Sequence, residues 1–128
     1  MRTLPIIVLF LIASQADARD DNGVGTYSKR YQSCSDSAQG SFTHILACQG
    51  EEQAVQESRL NKTYSAIMRR LAPAEQRLLR TSERKWLTLR DKKCRLPLRN
   101  PGLSDLVDSR ECRLEETLRR TVWLERYR

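Results

Sequence analysis

Apolar residues in this chain recur at intervals of three and four, the spacing that gathers side chains on one face of an α-helix. The clearest run is Leu60, Tyr64, Ile67 and Leu71, with Cys48, Ala54 and Val55 extending its apolar side toward the N-terminus. Ser41 stands where an N-cap belongs, so a first long helix is predicted over 42–71. Gly50 interrupts it, at a cost of about 1 kcal/mol relative to alanine. Pro73 cannot continue that helix but suits the first position of another, with Glu75 near the positive end of its dipole. This second helix places Leu78 or Leu79, Ser82, Trp86, Leu89 and Lys93 on one face. Glu83, Arg84, Lys85, Arg90 and Asp91 crowd its other side, and it ends at Cys94. The connection between the two is very short, which predicts an antiparallel hairpin.

Pro97, Pro101 and Gly102 then make residues 95–102 a stiffened loop that carries Arg99. Ser104 reads as the N-cap of a third helix, whose inward side is Leu114, Leu118, Thr121 and Val122. No stretch alternates apolar and polar residues over a useful length, so no strand is predicted. The pattern describes an all-α fold: a small three-helix bundle, up to four helices with a short N-terminal turn, arranged as an antiparallel hairpin plus a third helix.

Residues 1–18 form a separate piece. Arg2 precedes an apolar run from Leu4 to Ala13, and Ala16-Asp17-Ala18 fits a small-x-small cleavage site. The run is shorter than the roughly 20 residues that span a bilayer, so it reads as a secretory signal peptide. No cysteine follows the run directly, which argues against a lipid anchor. The expected location is the periplasm or the cell exterior, with no stable membrane insertion after cleavage. Residues 19–33 are polar and glycine-containing, and read as a flexible leader ahead of a helical domain over 34–128, with a polar turn at 35–40.

Compartment decides how the four cysteines are read. An even count in a short exported chain points to two disulfides among Cys34, Cys48, Cys94 and Cys112. The local pairs Cys34–Cys48 and Cys94–Cys112 are favoured, each closing a loop of about 15–20 residues and contributing roughly 3 kcal/mol. Cys48–Cys94 is a rival, because an antiparallel helix pair brings those two positions together. Zinc needs closer pairs of the Cys-x-x-Cys kind, which are absent, so no metal is expected.

With 23 basic and 16 acidic residues, the chain carries a formal charge of +7. Removing residues 1–18 takes away Arg2 and Asp17 and leaves that balance unchanged. Such a charge favours acidic partners. Outside the cytoplasm these are anionic envelope polymers or acidic protein surfaces, and the compartment argues against nucleic acid. Catalysis is not expected. His44 is the lone histidine, on a first helical turn, and no glycine-rich phosphate loop or cofactor motif is present. Trp86 reads as core, and Glu83 and Arg90, flanking it, either pair with each other around the helix or reach a facing helix.

The whole set resembles a known family. Cys48, Glu52, Glu57, Leu60-Asn61 and Tyr64 come first. Glu83, Trp86, Arg90-Asp91 and Cys94 follow, then Cys112, Thr117 and Arg120. These residues resemble the LprI-like lysozyme inhibitors, with Trp-x-x-x-Arg-Asp-x-x-Cys the most specific segment. The resemblance implies an exported helical domain whose partner is lysozyme or another wall hydrolase. Glu57 stands where the family usually has Asp, Glu83 where it has Gln, and Ala72 where it has a capping Ser.

Inhibition has a physical route. Retaining glycosidases hold two carboxyl groups about 5 Å apart, and a protruding guanidinium can occupy that space. Arg99, on the stiffened loop, is the candidate plug, with Glu83, Trp86, Arg90 and Asp91 as the other binding candidates. Familiar animal lysozymes are themselves basic, so contact with one would need an acidic patch, for which Glu51, Glu52, Glu57, Glu111, Glu115 and Glu116 are available. The alternatives are a basic module gripping peptidoglycan or lipopolysaccharide through the arginine-rich faces around Arg77, Arg80, Arg84 and Arg119-Arg120, and a periplasmic immunity protein.

Overall fold

The computed structural model describes residues 26–127. The expected signal peptide and residues 19–25 of the expected leader lie outside the described residues. Four helices follow one another: α1 (Lys29–Ser37), α2 (Phe42–Arg70), α3 (Pro73–Lys93) and α4 (Leu103–Glu125), with no strand among the described residues.

α1 corrects one expectation, because it occupies the last part of the stretch read as flexible leader and runs into the predicted turn. Nine residues are too few for a stable helix in isolation. α1 is instead held from outside. The Ser28 hydroxyl caps it by accepting from Tyr31 N at 3.1 Å, Tyr31 is buried, and Cys34 is bonded to Cys48 of α2. The chain then reverses through Gln39 and Gly40, both at positive φ (47° and 81°), and the second of these favours glycine.

Ser41 caps α2 through His44 N. At the other end, Leu71 and Ala72 turn the chain directly into α3. Glu75 accepts from Ala72 N at 3.0 Å, and the Gln76 side chain donates back to the carbonyls of Met68 and Leu71. α4 starts earlier than predicted: its N-cap is Gly102, not Ser104. Asp105 accepts from Gly102 N at 2.7 Å and so fixes the start one turn ahead of itself.

Cross-helix contacts give the topology. Leu46 meets Arg110, Gln53 meets Thr117 and Arg59 meets Glu125, so α2 and α4 run parallel. Asp91 meets Arg113 and Glu83 meets Arg120, so α3 runs antiparallel to α4 and therefore to α2. α4 lies closely along α2, whereas α3 packs chiefly on α4 and leaves a groove against α2.

Two apolar clusters hold the bundle. Leu60, Ile67, Leu79 and Leu124 form one, with Tyr64, Met68, Leu71, Trp86 and Tyr127 packed around them. Tyr31, Cys48 and Leu114 form the other, with Tyr27 and Cys34. Each buried leucine or isoleucine contributes about 1.5–3 kcal/mol. Between the clusters the interior is polar: Gln49, Glu52, Gln56, Thr117 and Thr121 are buried. The inward line of α2 is therefore 49, 52, 56, 60 and 67. Ala54 and Val55, expected inward, fall on another face and are exposed. In α3 the inward line is 79, 83, 86 and 90, so Leu89 points away and is 55% exposed. Gly50 lies under the Arg110 guanidinium, where an added Cβ would make only ordinary contact at 3.9 Å.

The disulfides are the local pairs, Cys34–Cys48 and Cys94–Cys112, and not the rival Cys48–Cys94. They close intervals of 14 and 18 residues, worth about 3 kcal/mol each as constraints on the unfolded chain.

Candidate functional site

Trp86 stands at the junction of α2, α3 and α4. Its neighbour one turn on, Arg90, lies over the ring at 5.1 Å, and Arg120 of α4 approaches it at 5.7 Å. Arg120 is tied on every side. It donates to Glu83 Oε2 at 2.8 Å and to Ser82 Oγ at 2.9 Å, and lies 4.0 Å from the Trp123 ring. The Arg120 and Glu83 side chains are only 9% and 13% exposed. A guanidinium so placed satisfies one carboxylate oxygen and lays its flat faces on indoles, which fixes the indole of Trp86 in turn. Glu83 thus pairs with the facing helix and not with Arg90.

Above this network runs the groove, of about 450 Å³. α2 supplies Glu57, Leu60, Asn61 and Tyr64. α3 supplies Arg80, Glu83, Arg84, Trp86, Leu87 and Arg90, and Thr117 of α4 closes the floor. Most of the residues that carried the family resemblance are therefore neighbours here. Glu83, Trp86 and Arg90 were predicted as binding residues and are brought together. Arg80, Arg84 and Arg120 stand outside the set expected for inhibition, but belong to the arginine-rich faces expected to grip envelope polymers. The structure places Arg80 and Arg84 on the groove wall and Arg120, 34 positions from Trp86 in the chain, beneath it.

Asp91 sits beside the groove and does not line it. It accepts from Arg90 at 3.1 Å and from Arg113 at 2.9 Å, bridging α3 to α4. Arg99 belongs to a different place altogether, the exposed loop between α3 and α4. Its side chain makes no ion pair or hydrogen bond among the described residues, and Leu98 beside it is 89% exposed. The loop is pinned at its base, where Cys94 bonds Cys112 and the Ser109 hydroxyl donates to the Cys94 carbonyl at 2.6 Å.

Most of the acids offered as a lysozyme contact are committed to partners within the fold. Glu52 is 2% exposed and accepts from Ser28 N, Ser28 Oγ and Gln56 Nε2 at 2.9, 2.5 and 2.6 Å. Glu111 accepts from the hydroxyls of Tyr27 and Tyr31 and from Gln49. Glu116 pairs with Lys93 and Glu51 with Arg30. Burial, and then the Glu111 carboxylate accepting its proton, push the Tyr31 hydroxyl up to about 12 and that of Tyr27 well above the ordinary tyrosine range. Both stay neutral donors at any physiological pH. Glu51, Glu52 and Glu111 thus hold α1 in place, and Glu116 ties α4 to α3. His44 comes within 4.8 Å of the sulfurs of Cys34 and Cys48, but those sulfurs are bonded to each other and offer no thiolate to a metal.

No helix among the described residues is long and apolar enough to cross a membrane. Residues 34–124 match the family model described as Lysozyme inhibitor LprI. An uncharacterized protein, YecT, of Escherichia coli (strain K12) is 28% identical over 145 aligned residues, covering 96% of this chain and 89% of YecT. No solved structure matches.

Proposed function

This chain belongs to the Lysozyme inhibitor LprI family, and we propose that it is an exported protein that binds a peptidoglycan-cleaving muramidase and blocks its cleft with the loop at 95–102. The observation that carries this reading is the pairing of an exposed Leu98 and an uncommitted Arg99 on a segment locked at its base by Cys94–Cys112. A loop already held in shape loses little entropy on docking. Leu98 offers apolar area to a cleft wall. Arg99 offers a fork of donors that can reach two carboxyl groups about 5 Å apart, the separation retaining glycosidases use. Steric occlusion of this kind needs no catalytic group in the inhibitor. The disulfides suit a periplasmic or extracellular setting.

The charge of +7 selects among targets. With Glu52 and Glu111 turned inward and Glu116 paired with Lys93, half of the acids offered to a basic lysozyme are committed elsewhere, so the favoured target is a muramidase with an acidic cleft rim. The test is a wall-turbidity assay against muramidases of differing charge. Inhibition should be strongest for the acidic ones. Arg99→Ala should weaken it by about 30-fold, the loss typical of an interface hot spot of about 2 kcal/mol. Undiminished inhibition by the alanine variant, with its helical content intact, would remove the loop from the mechanism.

A further inference from the structure

We infer that the groove between α2 and α3 binds a carboxylate-bearing, N-acetylated glycan segment, at a site separate from the loop at 95–102. Its volume of about 450 Å³ lies within the range of small-ligand sites and suits a disaccharide. Three kinds of chemistry line it in order. On the α3 wall, Arg80 and Arg84 are exposed, one helical turn apart, with side chains in no ion pair among the described residues. On the α2 wall, Glu57 and Asn61 present a carboxylate and an amide. Between them Leu60, Tyr64 and Trp86 make an apolar floor, stiffened where Arg90 and Arg120 hold the indole.

That order discriminates among occupants. A sugar ring has an apolar face for the floor and hydroxyl and amide donors for Glu57 and Asn61. A single carboxylate would meet the two free guanidinia in a charge-assisted contact. A polyacidic peptide or a sulfated polymer would bring further negative charge against Glu57, which the α2 wall penalises. A neutral chitin-type sugar would leave Arg80 and Arg84 unused. The groove therefore fits one negative charge set among many hydroxyls.

The experiment uses the full oxidised chain with Trp123→Phe, so that indole emission reports Trp86. The probe is the disaccharide of N-acetylglucosamine and N-acetylmuramic acid, compared with chitobiose, which lacks the lactyl carboxylate. Expected are saturable quenching below about 1 mM and affinity for chitobiose weaker by about tenfold. Arg80→Gln with Arg84→Gln should cost the acidic probe about tenfold and chitobiose little. Both arginines are exposed, so that variant should keep the parent's circular dichroism. Absence of binding, equal binding of the two sugars, or an unchanged affinity in the Gln variant overturns the assignment. So does displacement by a poly-glutamate peptide or a heparin fragment more effective than the disaccharide. Arg99→Ala should leave sugar binding intact, which keeps failure of this site distinct from failure of the blocking loop.

Discussion

Arg120 and Glu83 provide the sharpest test of how the groove is supported. Their charges face each other at 2.8 Å through Glu83 Oε2, with side chains 9% and 13% exposed, and Glu83 Oε1 is buried with no hydrogen-bond partner among the described residues. Replacing Arg120 with Met keeps most of its packing volume but strands that carboxylate. Removing one partner of a buried pair costs about 3–5 kcal/mol, a large part of the 5–15 kcal/mol total of a typical domain. Glu83→Leu should cost less, about 2 kcal/mol, because Arg120 keeps Ser82 and two indole faces as partners. The double variant replaces the pair with apolar side chains and should return to within about 1 kcal/mol of the parent. Each single change is thus expected to be worse than both together. Urea unfolding followed by circular dichroism, with m held constant across the four proteins, measures the cycle. Additive losses, or an Arg120→Met cost below about 1 kcal/mol, would refute the reasoning that this is a tightly coupled, desolvated pair.

Two further predictions concern α1. Glu52→Ala should destabilise the protein by about 3 kcal/mol, since it strips an acceptor from three donors, two of them on the Ser28 cap; Glu52→Gln should recover part of this. Proteolysis within α1 should rise in parallel, and an unchanged midpoint would show that the cap contributes nothing. Alkaline stability follows from the tyrosines. The unfolded chain releases the Tyr31 proton near pH 10, whereas the fold holds it until about 12, so stability from this group is intact below pH 10 and drains away between 10 and 12. Denaturant midpoints across that window should fall less steeply in a Tyr27→Phe, Tyr31→Phe variant than in the parent.

Much of the bundle was legible because its C-terminal half is held by hydrocarbon. Leu60, Tyr64 and Ile67 advertise their face through spacing, Pro73 marks where α2 gives way to α3, and Pro101 lies just ahead of α4. The N-terminal half was not legible, because its interior is built from hydrogen bonds. Gln49, Glu52 and Gln56 continue the inward line of Leu60 at the same three-and-four interval, but a search for apolar periodicity passes over them and selects Ala54 and Val55. α1 was hidden for the same reason: Tyr27 and Tyr31 are anchored by hydroxyls on Glu111, 80 or more residues away. Leu89 misled because Arg90 takes the inward position by lying against Trp86. The groove was half visible. Trp86 and its charged flanks stood out, while Arg120 joins them only once α4 folds back.

Both disulfides lie where α2 and α4 begin and α3 ends, since Cys48 packs with Leu114 and Arg110 reaches Leu46. The opposite pole, at the α2–α3 corner and the end of α4, carries no disulfide among the described residues and is closed by Ile67, Leu71, Leu79, Leu124 and Tyr127, by Arg59 on Glu125 and by Arg70 donating to the Tyr127 carbonyl. Covalent cross-links thus gather at one pole, beside the blocking loop, while the walls of the groove are joined at the other by the two-residue turn at Leu71 and Ala72. The loop's base is fixed by bonds that survive any repacking of the apolar pole.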